Sequence, residues 1–287
     1  MSVVVNKILI KEGGAYCLML DLSKRFFVIP LSIIFDNECS NKVATTFSYF
    51  SIRRGMDYKL DFTVNMIVDW LGRKRNRSAG GINVYIKSAI ERLKDSGFIS
   101  LIGKPCDGKI VTATFNVDKI TELCQSDKER FATIYIDELL KILKCCNVGD
   151  NDNTLNHDVL LRVFAYLRTM IYRRQSDQSA TQFGDYKERK KNSPETYNCY
   201  IQEMAEELKL SPRIVSDSIT ILKEMELIYF EPLPRIKYDD VIWRTGHTIF
   251  CNWYKREKGK FIIGGKEYYE EEVKNRKKQL RFVSKDD

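Results

Sequence analysis

An internal repeat constrains the fold of this chain more than any other feature of its sequence. Residues 88–101 read SAIERLKDSGFISL and residues 217–230 read DSITILKEMELIYF. Four positions match between the two segments: Ile90 with Ile219, Leu93 with Leu222, Lys94 with Lys223, and Ile99 with Ile228. Both segments have the pattern of a helix that ends and turns at once into a strand. A second similarity occurs upstream of each segment, where residues 25–30 read RFFVIP and residues 130–135 read RFATIY. We therefore expect two copies of one supersecondary unit.

Apolar residues recur at helical spacing three times in each expected unit. In the first unit the three stripes are Val43, Phe47 and Phe50; Val64, Ile67, Val68 and Leu71; and Ile82, Ile86, Ala89, Ile90 and Leu93. In the second unit they are Leu160, Phe164, Leu167 and Ile171; Ile201, Met204, Ala205 and Leu208; and Val215, Ile219 and Leu222. The last of these helices has a clear start signal, because the capping residue Ser211 precedes Pro212 at the first helical position. Two strands are predicted after each third helix, at 98–102 and 109–115 in the first unit and at 227–231 and 247–252 in the second.

This order of elements predicts a mainly α fold with small β-hairpins (α+β), built from two tandem winged helix-turn-helix domains. The length of 287 residues agrees with two domains of about 150 residues each. We place the first domain at 1–125, with a leading strand pair within residues 1–23. The second domain is placed at 126–255 and carries a polar, lysine-rich insertion at 175–196. Residues 256–287 form a densely charged tail, in which a helix is expected from 266 to 281.

The third helix of a winged helix-turn-helix unit lies in the major groove of DNA. Its outer face in the first unit is predicted to offer Asn83, Tyr85 and Lys87, and asparagine and lysine can bond adenine and guanine edges. A basic run precedes this helix, where cations suit phosphate; its members are Arg73, Lys74, Arg75 and Arg77. The other residues expected to contact DNA are Lys104 in the first wing, Arg213, Ser216 and Thr220 on the third helix of the second unit, and Arg235 and Lys237 in its wing.

Acidic residues weaken the interpretation of the second unit as a DNA reader. Asp217 on its third helix, and Asp239 and Asp240 in its wing, would repel phosphate. We therefore expect the first unit to supply most of the affinity for DNA. Two alternatives stay open: the second unit can serve protein contacts only, and residues 73–77 can be a solvated loop.

Catalysis, metal binding and cofactor binding are not expected. The only histidines are His157 and His247, none of the eight cysteines has zinc-ligand spacing, and no Gly-x-x-x-x-Gly-Lys phosphate loop occurs. No apolar run reaches the ~18 residues of a membrane span, and the first residues lack the pattern of a signal peptide. The 47 Lys+Arg exceed the 39 Asp+Glu to give a net charge of +8, which permits nucleic acid as a partner. We expect a cytoplasmic protein with reduced cysteines and no membrane contact.

The runs at 26–31, 44–54 and 88–101, together with residues 200–252, resemble plasmid and phage replication initiators with tandem winged-helix domains. The resemblance implies binding to double-stranded DNA at the repeated origin sequences of a plasmid, phage or integrative element. It also implies recruitment of host replisome proteins, such as a helicase or its loader. The insertion at 175–196 and the acidic second recognition helix depart from this pattern. Two other hypotheses stay open, a winged-helix transcriptional regulator and a scaffold whose winged helices bind proteins, and a homodimer is an open alternative.

Overall fold

The computed structural model describes residues 8–12, 15–19, 25–125, 130–145, 156–171, 197–232, 236–238, 241–243, 247–252, 255–257, 260–263 and 266–269. These residues form helices and small antiparallel sheets, which confirms the predicted α+β class. The predicted insertion at 175–196 and residue Arg235 lie outside the described residues. The leading strand pair is confirmed, because β1 (Ile8–Glu12) pairs antiparallel with β2 (Ala15–Met19). Strand β3 (Phe26–Pro30) and the short helix α1 (Leu31–Phe35) follow.

The first repeat unit has the order helix, strand, helix, helix, strand, strand. Its elements are α2 (Lys42–Arg53), β4 (Lys59–Phe62), α3 (Val64–Trp70), α4 (Ile82–Asp95), β5 (Ile99–Ile102) and β6 (Val111–Phe115). The three strands form an antiparallel sheet in the order β4-β6-β5. The three predicted helices and the hairpin are confirmed, whereas β4 was not predicted. Strand β4 is too short for its alternation of apolar and polar residues to stand out, and pairing with β6 determines its conformation.

Helix α5 (Val117–Gln125), strand β7 (Phe131–Tyr135) and helix α6 (Ile136–Cys145) connect the first unit to the second. The second unit repeats the same order of elements. It consists of α7 (His157–Ile171), β8 (Tyr197–Tyr200), α8 (Ile201–Leu208), α9 (Pro212–Glu224), β9 (Ile228–Pro232) and β12 (His247–Asn252). A small hairpin of β10 (Ile236–Tyr238) and β11 (Val241–Trp243) lies between β9 and β12. The sheet order β8-β12-β9 is equivalent to that of the first unit. The structure therefore contains the predicted internal repeat.

Helices α4 and α9 end in the same hydrogen-bonded motif. Each has a residue with positive φ immediately after its C-cap, Gly97 (φ 73°) in the first unit and Glu226 (φ 58°) in the second. In each, the next amide donates to a carbonyl of the last helical turn, Phe98 to Leu93 (2.9 Å) and Leu227 to Leu222 (3.0 Å). This is the Schellman arrangement, which reverses the chain and sends it into the following strand. Glycine adopts this conformation without strain in the first unit, whereas the second unit uses glutamate.

The two units are joined by a two-stranded antiparallel sheet of β3 and β7. Its central pair is Val28 opposite Thr133, and the register is symmetric about that pair. The main-chain hydrogen bonds beyond the strands are also symmetric, since Leu31 N donates to Arg130 O (2.8 Å) and Ile136 N donates to Arg25 O (2.9 Å). The similar segments 25–30 and 130–135 are thus two strands that pair with each other. This pairing crosses the boundary that we predicted between residues 125 and 126.

Helix α7 forms the centre of the molecule. Every residue from His157 to Thr169 is buried, and α7 packs against α1, α2, α6, α9, β7, β8 and β12. The charged residues of α7 are buried too. Lys42 of α2 forms an ion pair with Asp158, and Thr45 Oγ1 donates to the same carboxylate at 2.5 Å. Burial is the largest single influence and by itself would raise the pKa of Asp158, but the charges of Lys42 and His157 and the hydrogen bonds from Lys42 and Thr45 together outweigh it, so the pKa lies below its ordinary value.

Arg162 of α7 links the second unit to the segment that precedes the first unit through buried hydrogen bonds. Its side chain is fully buried. Nε donates to the carbonyl of Ile34 in α1 and Nη2 donates to the carbonyl of Leu208 at the end of α8, each at 2.9 Å. Nη1 donates to Asn41 Oδ1. Because carbonyls in the last turn of a helix have no partner within the helix, this one guanidinium satisfies acceptors at the ends of α1 and α8.

The tail does not have the predicted helix at its beginning. Residues Lys266–Tyr269, where that helix was expected to start, form strand β15, which pairs with β14 (Lys260–Ile263). Strand β14 also pairs with β13 (Lys255–Glu257). Tyrosine, isoleucine and phenylalanine, which occur in this segment, favour strands. The predicted helical residues from 270 onward lie outside the described residues.

Candidate nucleic-acid interface

Asn83 was predicted to lie on the outer face of α4, and this prediction is wrong. The side chain is fully buried. Its Nδ2 donates to Asn65 Oδ1 (2.9 Å) and to Asp107 Oδ1 (2.8 Å), and its Oδ1 accepts from the amide of Asn76 (2.9 Å). Both donor hydrogens of the amide and its acceptor are therefore used within the protein. Asn83 lies at the border between the apolar stripe and the outer face, and the loops packed at the start of α4 bury it.

Asp107 organises the wing loop between β5 and β6. Lys87 Nζ lies 2.8 Å from Asp107 Oδ2 and Arg77 Nε lies 3.5 Å from the same oxygen. The hydrogen bond from Lys87 is the main reason that the pKa of Asp107 lies below its ordinary value. The loop also accepts a main-chain hydrogen bond from α3, because Val64 N donates to Cys106 O at 2.9 Å. The wing is thus held against the start of α3 and α4, and Lys87 is directed toward it.

The basic run at 73–77 is partly neutralised within its own unit. Arg75 forms a bidentate ion pair with Asp69, with Nε 2.9 Å from Oδ1 and Nη2 2.5 Å from Oδ2. Arg77 contacts Asp107, and Arg73 is half-buried. Lys74 is exposed and has no ion-pair partner within the described residues. Two of the four cations would therefore have to exchange a carboxylate for a phosphate on binding DNA.

The outer face of α4 differs from the predicted one in composition. Val84, 36 % exposed, and Ser88 occupy it, and Glu91 extends it by one turn. Tyr85 is half-exposed at its edge, and Lys104 is exposed in the wing. The face therefore carries an aliphatic side chain and a hydroxyl in place of the predicted amide.

The outer face of α9 agrees with the prediction. Arg213, Ser216 and Thr220 are exposed, and the side chain of Arg213 is 91 % exposed. Arg213 Nε lies 3.9 Å from Asp217 Oδ2, so the acidic neighbour leaves most of the guanidinium in solvent. Ser211 caps the helix as predicted, because its hydroxyl accepts from the amide of Ile214 at 3.3 Å. Lys237 lies in β10 of the long wing.

The register of the repeat could have identified the outer face of α4 from the sequence. Aligned on the matched isoleucines and leucines, the exposed positions of α9 and their counterparts in α4 are Arg213 with Val84, Ser216 with Lys87, Asp217 with Ser88, and Thr220 with Glu91. Asn83 aligns with Pro212, the first residue of α9. The role of Asp107 was not predicted, and a lone aspartate in a glycine-containing loop gave no signal for it.

Within the described ranges, no group of three or more His, Cys, Asp or Glu side chains is arranged to hold a metal ion. In the same part of the chain, no helix combines the length and the apolar character needed to cross a bilayer.

Comparisons with known proteins give no family for the chain. No family model matches the sequence, and no curated protein sequence matches it. Among solved structures, the chain is similar to the crystal structure of RctB domains 2-3 (RctB-155-483), with 12 % identity over 86 % of this chain and 91 % of that chain. The TM-score of this superposition is 0.36. The function is therefore argued from the geometry of the two units.

Proposed function

We propose that this chain is a sequence-specific double-stranded-DNA-binding protein that uses two winged-helix units. The observation that carries the proposal is the duplicated order of helix, strand, helix, helix, strand and strand, with the same strand order in both sheets. In a winged helix this order leaves the third helix free to enter the major groove. Helices α4 and α9 are the third helices of their units, and each has an exposed face.

The packed contacts between the units support their joint use on one DNA duplex. Within the described residues, the β3–β7 sheet and the buried ion pair of Lys42 in α2 with Asp158 in α7 connect the units. Two recognition helices held in this way can contact two segments of major groove at a fixed spacing. A single chain would then read a composite site. Such preorganisation lowers the entropy cost of engaging the second segment.

Arg213 provides the sharpest test of base recognition. A duplex selected from a random pool is titrated with the wild type, with Arg213→Ala and with Lys141→Ala, which removes an exposed cation of α6 outside both recognition faces. We expect Arg213→Ala to cost about 1–3 kcal/mol on the selected duplex and far less on a scrambled one. Lys141→Ala should bind as the wild type does. Equal losses for both variants on both duplexes would show that Arg213 makes no base contact.

Salt dependence tests the phosphate contribution. Binding through lysine and arginine releases counterions, so the affinity should fall steeply between about 50 and 200 mM salt. Ala replacement of Lys74, which is exposed and has no ion-pair partner within the described residues, should reduce the slope by about one phosphate contact. An affinity that does not change with salt would contradict the DNA-binding proposal, and so would failure to select any duplex.

We further propose that the bound site is a replication origin of a plasmid, phage or integrative element, and that host replisome proteins are recruited there. The support is the resemblance of residues 24–252 to tandem winged-helix initiators. The test is to place the selected duplex on a plasmid without an origin and to supply the protein in trans. Maintenance of that plasmid would support initiation. Repression of a reporter without maintenance would instead favour the transcriptional regulator.

A further inference from the structure

The wing of the first unit carries an exposed aliphatic pair that the proposed major-groove contacts do not use. Ile102 is 74 % exposed and Ile110 is 66 % exposed. Ile102 pairs with Thr112 across the hairpin, and Ile110 lies two residues before Thr112. Because alternate residues of a strand share a face, both isoleucines lie on the solvent face of the hairpin as diagonal neighbours. Burying one isoleucine would be favourable in free energy, so this exposure indicates a surface for a partner.

The charges around the pair favour DNA as that partner. Two exposed lysines, Lys104 and Lys109, lie in the loop between the two isoleucines. The acidic residue of the loop, Asp107, is already bound by Lys87 and Arg77. The wing therefore presents aliphatic side chains next to cations, which is the composition of a wedge that enters the minor groove while lysines contact the adjacent phosphates.

The loop is also rigid enough to act as a wedge. Val64 N and Asn65 N donate to Cys106 O and Asp107 O at 2.9 and 3.1 Å, so α3 holds the loop through its main chain. Asn83 Nδ2 donates to the Asp107 carboxylate at 2.8 Å, which connects the loop to α4. A tip fixed to the recognition helix in this way can push into the minor groove without first becoming ordered.

We propose that the wing of the first unit inserts Ile102 and Ile110 into the minor groove and kinks the duplex there. The inference rests on the proposed DNA binding and adds a contact with the opposite groove. Pyrimidine–purine steps such as TA unstack most easily, so the kink should fall at such a step and make the protein prefer it. The kink would bring the duplex toward the major-groove contacts of α4.

The experiment compares the full-length wild type, the Ile102→Ala/Ile110→Ala double variant and Met56→Ala. Met56 is another fully exposed apolar residue, and it precedes β4 at the far end of the sheet. The bend of the selected duplex is measured by energy transfer between its ends, and unstacking by 2-aminopurine fluorescence. The wild type and Met56→Ala should kink the duplex by roughly 20–90°. The double variant should straighten it and bind about tenfold to a hundredfold more weakly.

Three results would overturn the inference. The first is an unchanged bend and affinity in the double variant with an unchanged circular dichroism spectrum. The second is equal binding when the TA step of the selected duplex is replaced by AA. The third is a wild-type dimer in sedimentation that the double variant converts to a monomer, which would make the isoleucine pair a protein interface. Failure of the wild type to bind any duplex would instead refute the proposed function itself.

Discussion

Replacing Arg162 by Met should strongly destabilise the protein, because it removes the buried hydrogen-bond donors that connect α7 to the ends of α1 and α8. Two buried main-chain carbonyls, those of Ile34 and Leu208, would lose their donor. A buried acceptor left without a partner costs about 1–3 kcal/mol, so the pair gives roughly 2–6 kcal/mol. Breaking a buried charged network typically costs about 3–5 kcal/mol, which lies within that range. We therefore expect the free energy of unfolding to fall by about 3–5 kcal/mol.

Urea unfolding followed by circular dichroism and tryptophan fluorescence measures this loss. Arg92→Met is the matched control, because Arg92 likewise donates to two partners, the carboxylates of Asp36 and Glu38, but is 39 % exposed. The ion pair with Glu38 is exposed and contributes about 0–1 kcal/mol, whereas Asp36 is only 10 % exposed, so the control should lose clearly less stability than Arg162→Met. Burial lowers the pKa of Arg162 to about 10, so its side chain stays charged at neutral pH. A loss below about 1 kcal/mol for Arg162→Met would refute the view that this guanidinium holds α1 and α8 against α7.

Three further outcomes are expected. Burial holds the pKa of His157 below its ordinary value, so the folded state favours the neutral imidazole and the free energy of unfolding decreases as the pH falls below about 6.5. The urea midpoints at pH 7 and pH 5.5 should therefore differ less in the His157→Gln variant than in the wild type. Asn83→Ala should lower the melting temperature, because it removes the hydrogen bonds to Asn65 and Asp107, but it should leave the base preference of the folded protein unchanged. A relaxed base preference in a selection experiment would contradict the buried position of Asn83. Ser211→Ala should cost about 1 kcal/mol by chemical denaturation through loss of the α9 cap, and no change would show that the cap contributes nothing.

The helices that carry the two units follow from local patterns in the sequence. Apolar stripes at helical spacing, the Ser211–Pro212 start and the repeated helix ends are local signals, and the structure has a helix at each of them. These signals are reliable because helical hydrogen bonds join residues four apart, so neighbours along the chain decide the conformation. The outer face of α9, with Arg213 exposed, follows from the same periodicity.

Long-range contacts in the folded chain determine which side chains face solvent where several loops meet, and how the units join. Asn83 is buried because residues from α3 and from the wing, 18 and 24 positions away, bond its amide. Strand β3 pairs with β7 far along the chain, and Arg162 bonds carbonyls 128 and 46 residues away. Strands β4 and β8 and the sheet of the tail likewise depend on partners distant in sequence. Such pairings are stabilised by contacts that form only in the folded chain, so no local pattern of residues specifies them.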